Sequence, residues 1–322
     1  MILLISRKNR EGIILKSVIL AIVGLIAITS VILTDTDVIH PNVIKYEWVD
    51  NNEDTNNKKI KVFEVDYSLD TIEIVIPDNY HGLEIIECDK GVLEKYQSLK
   101  FLELNRIGNI NLGALFSKES KEYEPFYAQY VPKSLEEVFL RNETTIVPFA
   151  FTDCSSLKRV KITEATKFIR ANAFDGCISM EFNQYENGNY IGIEGNPYYA
   201  LISLIDYNVE EFKVHEDTVI IAGGAINNLP NIKRVIIPKS VMHLISFEFL
   251  SDGCYKDKSI FYQGTKEDSM KTQVLYYGDN AIYPLPENMI NGTTIYYYSE
   301  TEPEIEGNYW HYDDDGKTVI VW

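Results

Sequence analysis

One phrase of apolar and polar positions keeps returning along the chain: apolar-x-x-apolar-x-apolar. It stands at Leu99-Leu102-Leu104, Leu135-Val138-Leu140, Leu157-Val160-Ile162, Val209-Phe212-Val214 and Ile232-Val235-Ile237, with a degraded copy at Met180, Asn183 and Tyr185. Successive copies begin 36, 22, 23, 29 and 23 residues apart, so the base period is 22 or 23 with insertions in the first and fourth gaps. Alternation over the last two apolar positions predicts a short strand with one face in the core. An earlier copy is expected at Ile74 and Ile76, with Thr71 in place of its first apolar residue. A second shared element follows each strand. Residues 146–157 and 169–180 align position for position, and each predicts a small-residue turn that sends one Phe and one Cys inward. Looser relatives lie at 220–230 and 243–254. A period in this range predicts a solenoid in which each repeat is one coil stacked on the next, and no coil folds alone.

The first 34 residues follow a different pattern. Residues 13–33 form an apolar run whose one charge is Lys16, and as a helix it would span about 31 Å, close to the hydrocarbon thickness of a bilayer. Arg7, Lys8 and Arg10 precede it and Asp35 and Asp37 follow it, a bias that places the N-terminus in the cytoplasm and the remainder outside. The expectation is a single-pass signal anchor; cleavage near Ala27-Ile28-Thr29 would instead give a secreted protein. The Asn-rich stretch up to Lys59 predicts a polar tether in which Val43-Ile44 and Tyr46-Trp48 alone could dock. At the other end, Asp315-Gly316 between two aromatic and β-branched runs predicts a hairpin that caps the open end of the solenoid.

Composition narrows the chemistry. The 322 residues are 45% hydrophobic, enough for a large core, and 48 acids against 30 bases give a net charge of −18. Nucleic acid is therefore not an expected partner. Residues 1–34 carry +3, which leaves −21 for the exterior. Four cysteines lack any C-x-x-C spacing and five histidines share no metal-ligand spacing, so no metal and no cofactor are expected. Gly316-Lys317-Thr318 ends like a P-loop, but His311 stands where the loop requires glycine. Asp313–Gly316 is similar to a calcium loop, but its pattern requires an acid at 311 and Glu at 322, which are His and Trp. No catalytic residues are expected, and the chain is read as a non-enzyme. Stacking places Cys154 near Cys177 at roughly the spacing of adjacent strands, ~4.8 Å, which permits a disulfide; since other repeats fill the slot with other residues, buried free thiols are the preferred reading.

Apolar residues at positions 1, 4 and 6 of a 22- or 23-residue unit are a leucine-rich-repeat signature. Ala173-Phe174-Asp175-Gly176-Cys177, Arg234–Val241, Ile260–Glu267, the Gly188–Gly192 and Asn196–Tyr198 segments and Tyr296–Glu300 together resemble the BspA-like (Treponema-type) leucine-rich repeats of bacterial surface proteins. The resemblance covers about residues 70–322 and departs at Val209–Pro230 and in the Phe116–Pro132 insertion, where packing on the solenoid flank is expected. The predicted fold is a leucine-rich-repeat solenoid, α/β-type or mostly β, with short strands stacked in a parallel sheet, an N-terminal transmembrane helix and a C-terminal β-hairpin cap. Its predicted division is a cytoplasmic tail at 1–12, the anchor at 13–33, tether and N-terminal cap at 34–66, the solenoid at 67–288 and the cap at 289–322.

Strand residues between the buried positions face the concave surface: Phe101 and Glu103, Glu137 and Phe139, Arg159 and Lys161, Glu211 and Lys213, Arg234 and Ile236. A rigid concave face is the recognition platform of solenoids, and interface centres favour Arg and aromatic rings. Phe101, Phe139, Arg159, Lys161 and Arg234 are the candidate binding residues. The resemblance implies adhesion to a protein or glycan of host matrix or a neighbouring cell; the alternative is an envelope spacer without a specific ligand. Trp310, Tyr312 and Trp322 also look like the choline-binding repeats of cell-wall proteins, whose rings cage a quaternary amine, although such sites need several copies and this chain has one.

Overall fold

The structure, a computed structural model, describes residues 2–5, 17–22, 25–26, 44–48, 59–81, 83–88, 92–104, 131–226, 231–245, 258–275, 282–285 and 294–322. Most of the Phe116–Pro132 insertion, the tether between 49 and 58 and the repeat turn at 246–254 lie outside them.

The apolar-x-x-apolar-x-apolar phrases form the strands they predict. Glu73–Val75, Phe101–Leu104, Glu137–Leu140 and Arg159–Lys161 pair in parallel, in sequence order, as one four-stranded sheet. Equivalent residues of successive repeats sit side by side, Ile74 with Leu102, Leu102 with Val138 and Val138 with Val160. The register places Thr71 in the first apolar slot of the earliest coil. A second parallel run follows, Glu211–Lys213, Arg234–Ile237, Ser259–Tyr262, Thr294–Tyr298 and Tyr309–Tyr312, and Val319–Val321 closes it antiparallel. On the opposite side of the coils a second ladder stacks Thr145–Ile146 on Phe168–Ile169, and Ile220–Ile221 on His243–Ile245 on Gln273–Leu275. Most buried side chains of both ladders belong to one continuous core running from Ile44 to Tyr297, with Phe168, Ile245 and Leu275 in a second cluster and Ile236, Phe261 and Trp310 in a third.

The turns explain the aligned second element. Phe149 and Asn172 take positive φ, and so do Asp153 and Gly176, each pair 23 residues apart. These left-handed positions swing Phe151 and Cys154, and likewise Cys177, into the core. Gly176 meets the conformational demand without strain; Asp153 meets it with a side chain that tolerates the region. Phe151 N–H donates to Ala173 C=O at 2.8 Å and Asp153 N–H to Asp175 C=O at 2.9 Å, so the turns also bond coil to coil.

Both ends are covered. Ile44–Trp48, Lys59–Val65, Leu83–Cys88 and Asn79–Tyr80 form a four-stranded sheet at the N-terminal end, where the Tyr96 hydroxyl donates to Val65 C=O at 2.7 Å and accepts from Tyr67 N–H at 3.1 Å. At the C-terminal end the Asp315-Gly316 hairpin forms: the Asp315 carboxylate accepts from Lys317 N–H and Thr318 N–H, both at 2.7 Å, and Gly316 takes φ +65°.

One expectation is narrowed and one changes. The solenoid is mostly β: among the described residues the one α-helix is Lys266–Ser269, begun by a capping box between Thr265 and Asp268. Across the expected 13–33 helix the described parts are extended, Ser17–Ile22 and Leu25–Ile26, and among the described residues no helix is long and apolar enough to cross a membrane. The remainder of 13–33 lies outside the described residues. Eleven of its 21 residues are β-branched, and apolar length alone does not separate a helix from extended chain in such a run.

Candidate binding site

In the four-stranded sheet, residues alternate between core and concave surface. Leu102, Leu104, Val138, Leu140 and Val160 are buried, while Phe101, Glu103, Glu137, Phe139, Arg159 and Lys161 stand on the other face. Parallel register sets them in two rows, Phe101–Glu137–Arg159 and Glu103–Phe139–Lys161. Four of the five candidate residues are thus gathered on one surface. Glu137 is at its centre. Its carboxylate takes Arg159 Nε at 2.7 Å and also Lys161 Nζ. Its side chain is 12% exposed, whereas those of Arg159 and Lys161 are 52% and 55% exposed. Burial works to raise the Glu137 pKa, but hydrogen bonds from Lys161 and Arg159 outweigh it and hold the group below the ordinary carboxylate range. The result is a covered carboxylate holding two presented cations in place. Arg159 Nη1 also reaches Glu181 at 2.9 Å, and Lys161 Nζ lies 5.9 Å from the Phe101 ring centroid, within cation–π range.

Arg141, at the end of its strand, is a residue the repeat pattern did not single out. It ties Glu103 on the concave face to Asp78 at 2.8 Å and donates to Ile76 C=O at 2.5 Å. It holds three successive coils together below the binding rows.

Beside the Arg159 strand the concave face opens into a cleft of 990 Å³. One wall is Phe139, Arg159 and Lys161; the other is the hairpin of Gly188–Ile193 and Asn196–Leu204, which presents Tyr190, Ile193 and Pro197. The hairpin is the Gly188–Tyr198 insertion, whose sequence identified it as a segment but showed no sign of where it would project. Gly192 makes its close crossing possible, because a Cβ there would lie 2.7 Å from Pro197 Cα and 2.9 Å from Asn196 C=O. Tyr190 is fully buried, its hydroxyl accepting from His215 N–H at 3.2 Å. Burial pushes its phenol up to about 12, so Tyr190 itself stays uncharged, and Glu194 at the hairpin turn also lines the cleft. Behind it Tyr198 meets Tyr190 edge-on at 5.6 Å and lies 4.0 Å from His215.

Arg234 does not join the other four. It lies in the second parallel run, beside Ser259, and pairs with Glu211 at 2.5 Å. Ile236, expected on the open concave face, is 2% exposed. The row Ile236–Phe261–Tyr296 is covered by the chain's own C-terminal aromatics. Phe261 stacks on Tyr296 at 5.0 Å, and Trp310 meets Phe261 at 5.5 Å while its Nε1 donates to Tyr262 C=O at 2.9 Å. The Tyr312 hydroxyl accepts from Gln263 at 2.8 Å, and Lys213 Nζ lies 5.5 Å from the Tyr312 ring. Trp310 is wholly buried here and offers no open ring for a quaternary amine, while Trp322 stacks on His311 at 3.9 Å. In the second run the concave surface is therefore covered along the Ile236–Phe261–Tyr296 row, while Glu211 and Arg234 stay exposed.

Cys154 and Cys177 are free and buried, and Cys177 Sγ donates to Phe151 C=O at 2.9 Å. Burial raises the thiols to about 11 and about 12 respectively, so neither is a thiolate at neutral pH. Iodoacetamide should leave both unmodified in the native protein and alkylate both in denaturant, without prior reduction. Peptide mapping by mass spectrometry reads this out; labelling of either residue in the native state would contradict the assignment.

The sequence profile of a family described as "BspA type Leucine rich repeat region" matches residues 53–181 and 122–252, with six copies. No curated protein matches the chain. Among solved structures, the T. pallidum leucine rich repeat protein TpLRR is 16% identical, with 68% of each chain covered and a TM-score of 0.24. A leucine rich cell surface protein from Faecalibacterium prausnitzii A2-165 is 13% identical over 74% of this chain and 95% of that one, with a TM-score of 0.22. The pneumococcal vaccine antigen PcpA is 14% identical over 82% and 94%, with a TM-score of 0.28.

Proposed function

From the premise that the chain belongs to the BspA-type leucine-rich repeat family, we propose that it is a bacterial cell-surface binding protein that performs no catalysis. Its partner, a protein or glycan of host matrix or a neighbouring cell, docks on the Phe101–Lys161 rows and enters the adjoining cleft. The observation that carries this reading is the contrast between the two halves of the concave face. In the second half Trp310 and its neighbours cover the Ile236–Phe261–Tyr296 row and leave Arg234 paired with Glu211. The other presents Arg159 and Lys161, half-exposed and fixed by Glu137, beside Phe101 and Phe139. Pre-organised cations next to aromatic surface suit a macromolecular partner, since holding the side chains in place lowers the ordering cost of binding.

The test is a screen of the purified full-length chain against matrix proteins, glycans and cell-wall fragments, with Arg159→Glu/Lys161→Glu as the comparison. A saturable hit is expected to weaken by roughly tenfold or more in the double variant, the size of effect seen when charge pairs at an interface are reversed. A hit of unchanged affinity would remove the partner from this face, and no hit at all would favour the envelope-spacer reading. Attachment to the membrane through residues 13–33 is part of the same proposal, supported by the apolar length of that segment and the charges that flank it. Co-fractionation with membranes that is lost on deleting residues 1–34 tests it.

A further inference from the structure

The cleft is lined by side chains of both charges and by aromatic rings, and the combination restricts what it can hold. After Glu181 the chain leaves the concave ladder. Asn183–Tyr185 pairs antiparallel with Gly188–Tyr190 instead, and the hairpin that begins there forms the far wall. Val160, at the foot of the near wall, is only 4% exposed. What the cleft presents is therefore side chains and not a strand edge.

The charges exclude a strongly ionic ligand of either sign. Arg159 and Lys161 stand half-exposed on the near wall, and the carboxylates that hold them, Glu137 and Glu181, offset their charge. Glu164 and Glu194 also line the cleft, both exposed and, among the described residues, neither paired with a cation. An anion would meet Glu164 and Glu194; a cation would meet Arg159 and Lys161. A hydroxyl suits both, because it carries one donor for a carboxylate and lone pairs for a guanidinium or an ammonium. Asn183 adds an acceptor, since its amide nitrogen donates to Pro197 C=O at 2.8 Å and its Oδ1 is left for a donor. Aromatic surface accompanies both walls. Phe139 stands half-buried on the near one. On the far side Asn183 and Tyr185 share a face of a strand that is exposed along its length, and the Tyr185 ring lies 5.6 Å from Tyr198 and 4.4 Å from His215. Tyr198 in turn meets Tyr190 of the wall itself.

We propose that the cleft binds an uncharged saccharide chain of a few rings. A sugar ring meets both demands, with hydroxyls around its rim and apolar C–H groups on its faces. Its hydroxyls bond Glu164, Glu194, Asn183 and the N–H groups of Arg159 that Glu137 and Glu181 leave unused, and its faces lie on Phe139 and on the Tyr185–Tyr198 pair. A volume of 990 Å³ is at the upper limit for small-molecule pockets, about 1,000 Å³, and suits several linked rings better than one. The inference deepens the binding reading above, choosing glycan over protein as the occupant of the cleft, and rests on it.

The experiment titrates neutral tetrasaccharides of glucose, mannose, galactose and N-acetylglucosamine into the full-length chain by isothermal titration calorimetry, with tetragalacturonate and tetraglucosamine as charged comparators. Saturable binding of at least one neutral tetrasaccharide is expected, with an affinity that salt between about 50 and 500 mM leaves unchanged, because screening acts on charges. Tyr185→Ala should weaken it by roughly tenfold, the loss of one ring contact. Phe139→Ala should do the same, and Phe139→Tyr should restore it. Glu194→Gln should weaken it several-fold, since a charged acceptor holds a donor about twice as strongly as a neutral one. Tyr185 and Glu194 are exposed, so their variants keep the fold; matching thermal melts check it. No saturable binding of any neutral tetrasaccharide at millimolar concentration, tighter binding of a charged comparator, or an affinity unchanged in both Tyr185→Ala and Phe139→Ala overturns the assignment. If no saccharide binds while a partner from the screen is still lost with Arg159→Glu/Lys161→Glu, the binding face stands and the saccharide assignment alone falls; a partner indifferent to that reversal removes the face itself.

Discussion

Trp310→Ala should destabilise the C-terminal coils by about 3–5 kcal/mol, the range for emptying a large aromatic site in a packed core. Trp310 is fully buried, closes over Phe261, Tyr298 and Tyr312 with ring separations between 4.9 and 5.5 Å, and donates its indole N–H to a backbone carbonyl. Truncation would remove the apolar contacts and leave Tyr262 C=O without that donor. Because each coil of a solenoid contacts only its neighbours, the damage should begin at the C-terminal end and open the second half of the concave face. Urea melts followed by near-ultraviolet circular dichroism, which reports the aromatic cluster, should show an early transition. A melt that coincides with wild type would mean that the cluster does not close the array. The Arg159–Lys161 half, in a separate sheet with four strands of the second run intervening, should keep its partner.

How much of this was readable before the structure depends on whether a feature is periodic. Leu102, Val138 and Val160 repeat with the coil, and their side-by-side register follows directly from the spacing; so does the existence of a shared turn, whose left-handed residues Asp153 and Gly176 the structure adds. The features that decide function interrupt the period. Ile236 reads as concave because it alternates correctly, and it does face that way, but Trp310, distant in sequence, packs over it. Arg234 alternates correctly as well and lies in a different sheet, because the hairpin at Gly188–Leu204 separates the two runs. The cleft exists because Met180, Asn183 and Tyr185 break the phrase. Sequence marked that copy as degraded, but only the structure shows that the chain leaves the ladder there. Loss of apolar residues at two of three positions removes the burial that would hold a strand in place, and pairing with Gly188–Tyr190 replaces it.

Coil-to-coil backbone contact is the other place where one atom matters, and Gly223→Val should show it. Gly223 N–H donates to Ile169 C=O at 2.8 Å, and a Cβ at this position would stand 2.8 Å from Ala171 N and 3.3 Å from the Arg170 carbonyl carbon. These are backbone atoms of the preceding coil, so no side chain can rotate aside. A branched residue has to push the coils apart, at a cost of about 1–3 kcal/mol by the usual scale of overpacking. The position of the wedge matters as much as its size. A solenoid is cooperative only through its nearest-neighbour interfaces, and weakening one near the middle lets the two halves melt separately. The expected signature is a biphasic urea curve in which each phase has a smaller m-value than the single wild-type transition, since each exposes less surface. A single transition of unchanged m-value, shifted or not, would show that the contact is not where cooperativity passes. The first half carries the Phe101–Lys161 rows, whereas the far wall of the cleft pairs with Ile220–Ile221 in the second, so between the two phases the variant should still bind a partner held by the rows and lose one held by the cleft, without any change to a residue that touches it.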